Sequence, residues 1–172
     1  LQRDFDQHRI DYLMCSAEDI IPGAEGLILK NEPVLAALPK DHPVCALART
    51  SPALERPYLQ TRDLDHTLMV LPPESQSLRM TINRIILEGN LHPADIVEIG
   101  NFETIIKMVA RGFGIGFNRL EYLKDMPQPE NVEYFYLEEQ PVTTPLYLMF
   151  PRQAKTSLYH DIIVEIFQEY TK

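Results

Sequence analysis

Ile99-Gly100-Asn101-Phe102-Glu103-Thr104-Ile105-Ile106-Lys107-Met108-Val109-Ala110-Arg111-Gly112-Phe113-Gly114-Ile115-Gly116-Phe117 decides the fold. The segment reads as strand end, helix, glycine break and new strand. Asn101 is placed as an N-cap, because its side-chain oxygen can accept from a backbone N–H one turn into the helix. Phe102, Ile105, Ile106, Val109 and Phe113 recur at helical spacing and predict a single apolar face. Lys107 and Arg111 sit where cations favour the negative end of the helix dipole. Gly112 is placed for a left-handed C-cap, and a strand resumes at Ile115-Gly116-Phe117. A helix that starts at the carboxyl end of a strand is where α/β domains hold ligands, often anions.

Working outward, residues 1–9 read as the end of a helix and 10–15 as a buried strand. Residues 26–30 and 33–38 read as two further strands, 61–64 as a helical turn and 67–71 as another buried strand. Leu78, Ile82, Ile85 and Ile86 stripe the next helix, which Gly89-Asn90 closes. Strands are predicted at 95–99, 132–137 and 146–150. Leu158, Ile162, Ile166 and Tyr170 form one face of a closing helix, with Thr156 or Ser157 as its N-cap. Strands alternating with helices imply an α/β fold with largely parallel pairing.

Composition narrows the function. The 172 residues suit one domain or two small lobes, and the hydrophobic share of 45% allows a real core. A net charge of −9 makes the chain a poor candidate for gripping a phosphate backbone. No run has the length of a membrane span and no signal-peptide pattern opens the chain. Cys15 and Cys45 are the only cysteines. They make no disulfide framework or zinc spacing, so a reducing cytoplasm is the simplest compartment. No Gly-x-Ser-x-Gly elbow or phosphate loop occurs. The Gly112-x-Gly114-x-Gly116 run leaves a helix and enters a strand, the reverse of a dinucleotide fingerprint. Catalysis, a metal and a cofactor are therefore not expected.

The run Gly26-Leu27-Ile28-Leu29-Lys30-Asn31-Glu32-Pro33-Val34-Leu35-Ala36-Ala37-Leu38-Pro39-Lys40-Asp41-His42-Pro43 resembles the approach to the second lobe of LysR-type transcriptional regulators. Asp63-Leu64, Leu71-Pro72-Pro73 and the 101–117 signature follow in the order and spacing of that family. The resemblance spans nearly the whole chain. It implies a two-lobed fold similar to type 2 periplasmic binding proteins, with mixed sheets flanked by helices and an effector held between the lobes. On this mapping, residues 1–38 and 144–172 form the first lobe and 43–137 the second. Residues 39–42 and 138–143 are the crossing strands. The first lobe reads as lacking the opening strand and helix that members of the family carry. The family's N-terminal winged helix-turn-helix is not among these residues either. Arg119 stands where many members have proline.

The resemblance and the helix starts together nominate Ser16, Ser75, Gln76, Ser77, Asn101 and Phe102 as ligand-binding residues. Each has a plainer role open to it. Ser16 can satisfy a turn, and Ser75 or Ser77 can simply N-cap the helix. Asn101 can be only a cap, and Phe102 can be core. Cys15 reads as inert strand packing and His42 as a loop residue before Pro43. The expected function is the effector-binding, dimerising regulatory domain of a bacterial LysR-type regulator that senses a small anionic metabolite. Its expected partners are that effector and one or three further copies, with DNA reached only through the winged helix-turn-helix. Apolar Met80, Leu87 and Leu91, beyond the core stripe of their helix, mark the expected contact between copies. A periplasmic solute-binding protein of the same fold is the alternative, and a small α/β enzyme is a more distant one.

Overall fold

In the computed structural model, residues 2–7, 9–16, 21–125 and 127–171 are described. The helices are α1 (Gln2–Asp6), α2 (Ser77–Glu88), α3 (Phe102–Val109), α4 (Tyr122–Asp125) and α5 (His160–Tyr170). The strands are β1 (Leu13–Ser16), β2 (Glu25–Pro39), β3 (Tyr58–Leu59), β4 (Leu68–Leu71), β5 (Asp95–Glu98), β6 (Gly116–Arg119), β7 (Val132–Leu137) and β8 (Thr143–Phe150). Contacts divide the chain into two units, one of Leu1–Glu32 with Thr144–Lys172 and one of Pro33–Thr143.

In the first unit, β1 and β8 pair antiparallel, with Leu13 opposite Met149 and Ser16 opposite Leu146. Buried Phe5, Cys15, Ile21, Leu148, Met149 and Phe150 make its core. Leu1 and His8, inside the helix expected over 1–9, lie outside the described residues. The closing helix differs from its sequence reading. Its N-cap is Tyr159, preceded by a 3₁₀ turn over Arg152–Thr156 that takes up Thr156. Ser157 accepts from the Tyr159 N–H instead of capping the helix. Leu158, Ile162 and Ile166, read as one face of that helix, are exposed.

The two strands expected at 26–30 and 33–38 are one strand, β2. Proline's fixed φ is compatible with extended chain, and the next N–H, of Val34, donates to the Val142 carbonyl at 2.9 Å. From Val34 onward β2 is buried on both faces. Val34, Ala36 and Leu38 join a core with Leu59, Met69, Leu78 and Phe117. Leu35 and Ala37 join another with Ile106, Val109, Tyr134 and Tyr136. This alternation is the period of two of a strand, read here as a continuous apolar run because both faces are covered.

Pairing in the second unit is mixed and not largely parallel. Both β6 and β7 run antiparallel to β2. Parallel pairs are β3 with β7 and β4 with β5, the latter joined through the crossover helix α2. Ile115 extends β4's other edge, with the Val70 N–H donating to Ile115 at 2.8 Å and the Ile115 N–H to Leu68 at 2.9 Å. Helix α2 buries Leu78, Ile82 and Ile85 and leaves Met80 and Leu87 exposed, Leu87 at 80%. Leu91, expected on that outer surface, is 6% exposed and belongs to the core. It follows Asn90, whose positive φ of 48° turns the chain back under the helix.

Helix α3 buries Ile105, Ile106 and Val109. Phe113, expected on the same face, lies past the helix end and is 57% exposed. Gly112 ends the helical phase with φ 76°. The Gly112 N–H reaches Val109 O at 2.9 Å and the Phe113 N–H reaches Met108 O at 3.1 Å, a Schellman closure. Gly114 then adopts φ 147°, and a Cβ there would lie 2.5 Å from the Leu68 carbonyl oxygen. Strain and overlap act together, so Gly114→Ala is expected to destabilise the chain by about 2–4 kcal/mol. A urea midpoint equal to that of the parent would contradict this.

Candidate ligand-binding site

Parallel strands β4 and β5 end side by side at Leu71 and Glu98. A short loop follows each and leads into a helix, α2 or α3. Two helix N-termini therefore stand at the carboxyl edge of one parallel pair, within the second unit. Asn101 caps α3 as expected, its Oδ1 accepting from the Thr104 N–H at 2.9 Å and from the Thr104 hydroxyl at 3.2 Å. At α2 the cap position belongs to Gln76, not to Ser75 or Ser77, and its side chain makes no capping bond. Its Nε2 instead donates to Gly100 O at 3.1 Å and ties the α2 entry to the turn before α3.

Ser77 is the first residue of α2, and its Oγ accepts from Nη2 of Arg119 at 3.1 Å. Arg119 ends β6 and is 8% exposed. A second arginine, Arg79, is buried on α2. Its Nη1 donates to Pro72 O at 2.8 Å and to Glu98 Oε1 at 2.7 Å, and its Nε to Asn83 Oδ1 at 2.8 Å. Neither arginine was among the sequence-based candidates. The available signal was the place of Arg119 at the end of an apolar strand, where an arginine must bury its head or reach past the sheet.

Gln76, Ser77 and Asn101 thus come together in the second unit. Ser75 is exposed in the same loop. Phe102 is half-buried against the core and stacks on Tyr122 with ring centroids 5.9 Å apart. Ser16 belongs to the first unit, buried at the end of β1. Thr144, also in that unit, has a buried hydroxyl that finds no partner among the described residues.

The thiols lie elsewhere. Cys15 is buried and Cys45 half-buried. The Cys45 Sγ donates to Pro39 O at 3.3 Å, and burial, aided by Glu133, pushes its pKa up. His42 Nδ1 accepts from the Val44 N–H at 3.3 Å and so caps the 3₁₀ turn Pro43–Leu47. Burial lowers its pKa, which keeps it a neutral acceptor. Among the described residues, no three His, Cys, Asp or Glu side chains gather as metal ligands. No described helix is long and apolar enough to cross a membrane.

The LysR substrate binding domain model matches residues 1–172, and the chain belongs to that family. The structure is similar to the BenM effector binding domain with its effector benzoate, at TM-score 0.81 and 20% identity over 98% of this chain and 72% of that one. It is also similar to full-length BenM, at TM-score 0.80 and 19% identity over 98% of this chain and 53% of that one. The Synechocystis PCC6803 CcmR regulatory domain in complex with 2-PG matches at TM-score 0.76 and 15% identity, over 99% and 78%. The chain therefore spans about half the length of the full-length regulator. No curated protein sequence matches it. The fold is the type 2 periplasmic-binding-protein-like fold of LysR effector domains, and by family the chain is an effector-binding regulatory domain.

Cys45 has the chemistry of a packed thiol and not of a redox sensor. At neutral pH it is expected to react with iodoacetamide at least about tenfold more slowly than free cysteine. Mass spectrometry of the alkylation time course checks this, and reaction as fast as free cysteine contradicts it.

Proposed function

We propose that the effector of this LysR-type domain is a small anion, held in the second unit at the start of α2 by Arg119 and Ser77. The observation that carries this is the Arg119–Ser77 contact, which sets a buried guanidinium at the first residue of a helix. Cation and helix N-terminus both favour negative charge. Gln76 and Asn101 position the two entry loops, Ser75 lies at the rim, and Phe102 with Tyr122 forms an aromatic wall. Ser16, buried in the first unit, is a separate candidate ligand contact on the sequence reading. Benzoate, the effector named for the BenM domain, is itself a carboxylate. DNA contact is assigned to a winged helix-turn-helix outside residues 1–172, in line with a net charge of −9 here. The regulator works in the cytoplasm.

A thermal-shift screen of small carboxylates and phosphates is expected to yield a stabilising anion. Ser77→Asp places a carboxylate beside Arg119 and competes with it, so affinity by calorimetry falls at least about tenfold. A cation as the best ligand, or unchanged affinity in Ser77→Asp, refutes the placement.

We also propose that the exposed apolar residues Met80 and Leu87 of α2 meet another copy in a homodimer or homotetramer. Light scattering of the full-length regulator over a concentration series should show association that Leu87→Glu weakens. A strict monomer at the highest concentration overturns this.

A further inference from the structure

A cavity of about 280 Å³ lies in the second unit, apart from the anion site, between α3, β6 and residues 127–129. Ile106 and Asn118 form its floor, Pro127, Gln128 and Pro129 one side, and Glu103 and Lys107 its mouth. Side chains of Tyr134 and Asn131 help to hold the loop wall. The Tyr134 hydroxyl donates to Gln128 Oε1 at 2.5 Å, and Asn131 Nδ2 donates to the Ala110 carbonyl at the end of α3. Burial pushes the Tyr134 pKa up to about 12, so this donor keeps its proton at any ordinary pH.

Asn118 is the decisive group. It is 2% exposed, yet it lines the cavity. Its Oδ1 accepts from the Arg119 N–H at 2.9 Å, which fixes the amide orientation and turns the NH₂ away from that bond. The NH₂ is not one of the buried side-chain atoms that lack a partner; it is the part of the amide left for the cavity that Asn118 lines. The charges at the mouth cancel, because Lys107 Nζ pairs with Glu103 Oε1 at 2.7 Å. An ionised ligand head placed against Asn118 would thus be desolvated with no countercharge. The apolar walls and the inner Asn118 amide suit an uncharged molecule with one acceptor.

We propose that this cavity is a second ligand site, for a small, uncharged, largely apolar carbonyl compound whose oxygen accepts from Asn118 Nδ2. The site is separate in residues and in charge from the anion site. The probe is acetophenone, with α-methylstyrene as the near-isostere that lacks the oxygen and benzoate as the charged comparator. In ¹H–¹⁵N spectra, acetophenone is expected to shift the Asn118 side-chain NH₂ saturably. α-Methylstyrene is expected to bind about fivefold more weakly, the equivalent of ~1 kcal/mol for one hydrogen bond. Benzoate should leave the Asn118 NH₂ unmoved. Asn118→Asp keeps the acceptor for the Arg119 N–H and removes the donor, so it should abolish the preference for acetophenone over α-methylstyrene. Glu103→Trp closes the mouth from an exposed position and should abolish binding without touching the core. Ser77→Asp should leave acetophenone binding unchanged, so the two sites fail independently. The proposal is overturned by no saturable shift of the Asn118 NH₂, by equal binding of acetophenone and α-methylstyrene, or by full binding in Glu103→Trp.

Discussion

The buried guanidinium of Arg79 sets the frame for the part of the second unit that holds the candidate site. A cation taken out of water must be satisfied in full or it destabilises the fold. Arg79 meets that demand with the Pro72 carbonyl at the end of β4, the Glu98 carboxylate at the end of β5 and Asn83 on its own helix. One side chain therefore couples the carboxyl ends of two neighbouring strands to the first turn of α2. The Gln76 amide adds a second tie, to the Gly100 carbonyl. The turn before Asn101 is thereby tied to the residue before Ser77, on the other helix.

Within that frame Arg79 pairs with Glu98, and Arg119 turns its Nη2 to the hydroxyl of Ser77. The fold does not choose the ligand. Domains that match this one at 15–20% identity carry benzoate in one case and 2-PG in another. The choice lies in single positions, and in the proposed site position 119 is one. A proline there, as in many members of the family, adds no charge and no donor, whereas arginine adds both beside the start of α2.

The sequence carried the fold well where one rule governed one element. Asn101, the apolar spacing of α3 and Gly112 each obey local chemistry, and each does in the structure what that chemistry requires. The readings that changed are those in which distant partners decide. Pro33 looks like a break but lies in continuous strand, because β6 and β7 hold the chain extended beyond it. Leu91 looks like surface on a helical wheel, but the helix ends at Glu88 and Asn90 turns Leu91 inward. Phe113 looks like the next member of the α3 face, but it follows the reversal at Gly112. In the candidate site, the helix starts at Ser77 and Asn101 were legible because local chemistry marks them. Arg79 and Arg119 were not, since an arginine on an amphipathic helix or at a strand end ordinarily reads as solvent-facing, and its burial depends on acceptors supplied from elsewhere.

Asn118 and Arg119 illustrate how much one strand end can carry. Successive residues on a strand face opposite sides. Phe117 belongs to the core that packs against α2, so Arg119 shares that side and meets Ser77. Asn118 faces the other side, where Ile106 of α3 and the 127–129 loop enclose the cavity. The two are joined through the backbone, because the Asn118 side chain accepts from the Arg119 N–H. That bond runs to the backbone N–H of Arg119 and not to its guanidinium, so one strand end presents an amide on one face and a cation on the other, each to its own surroundings.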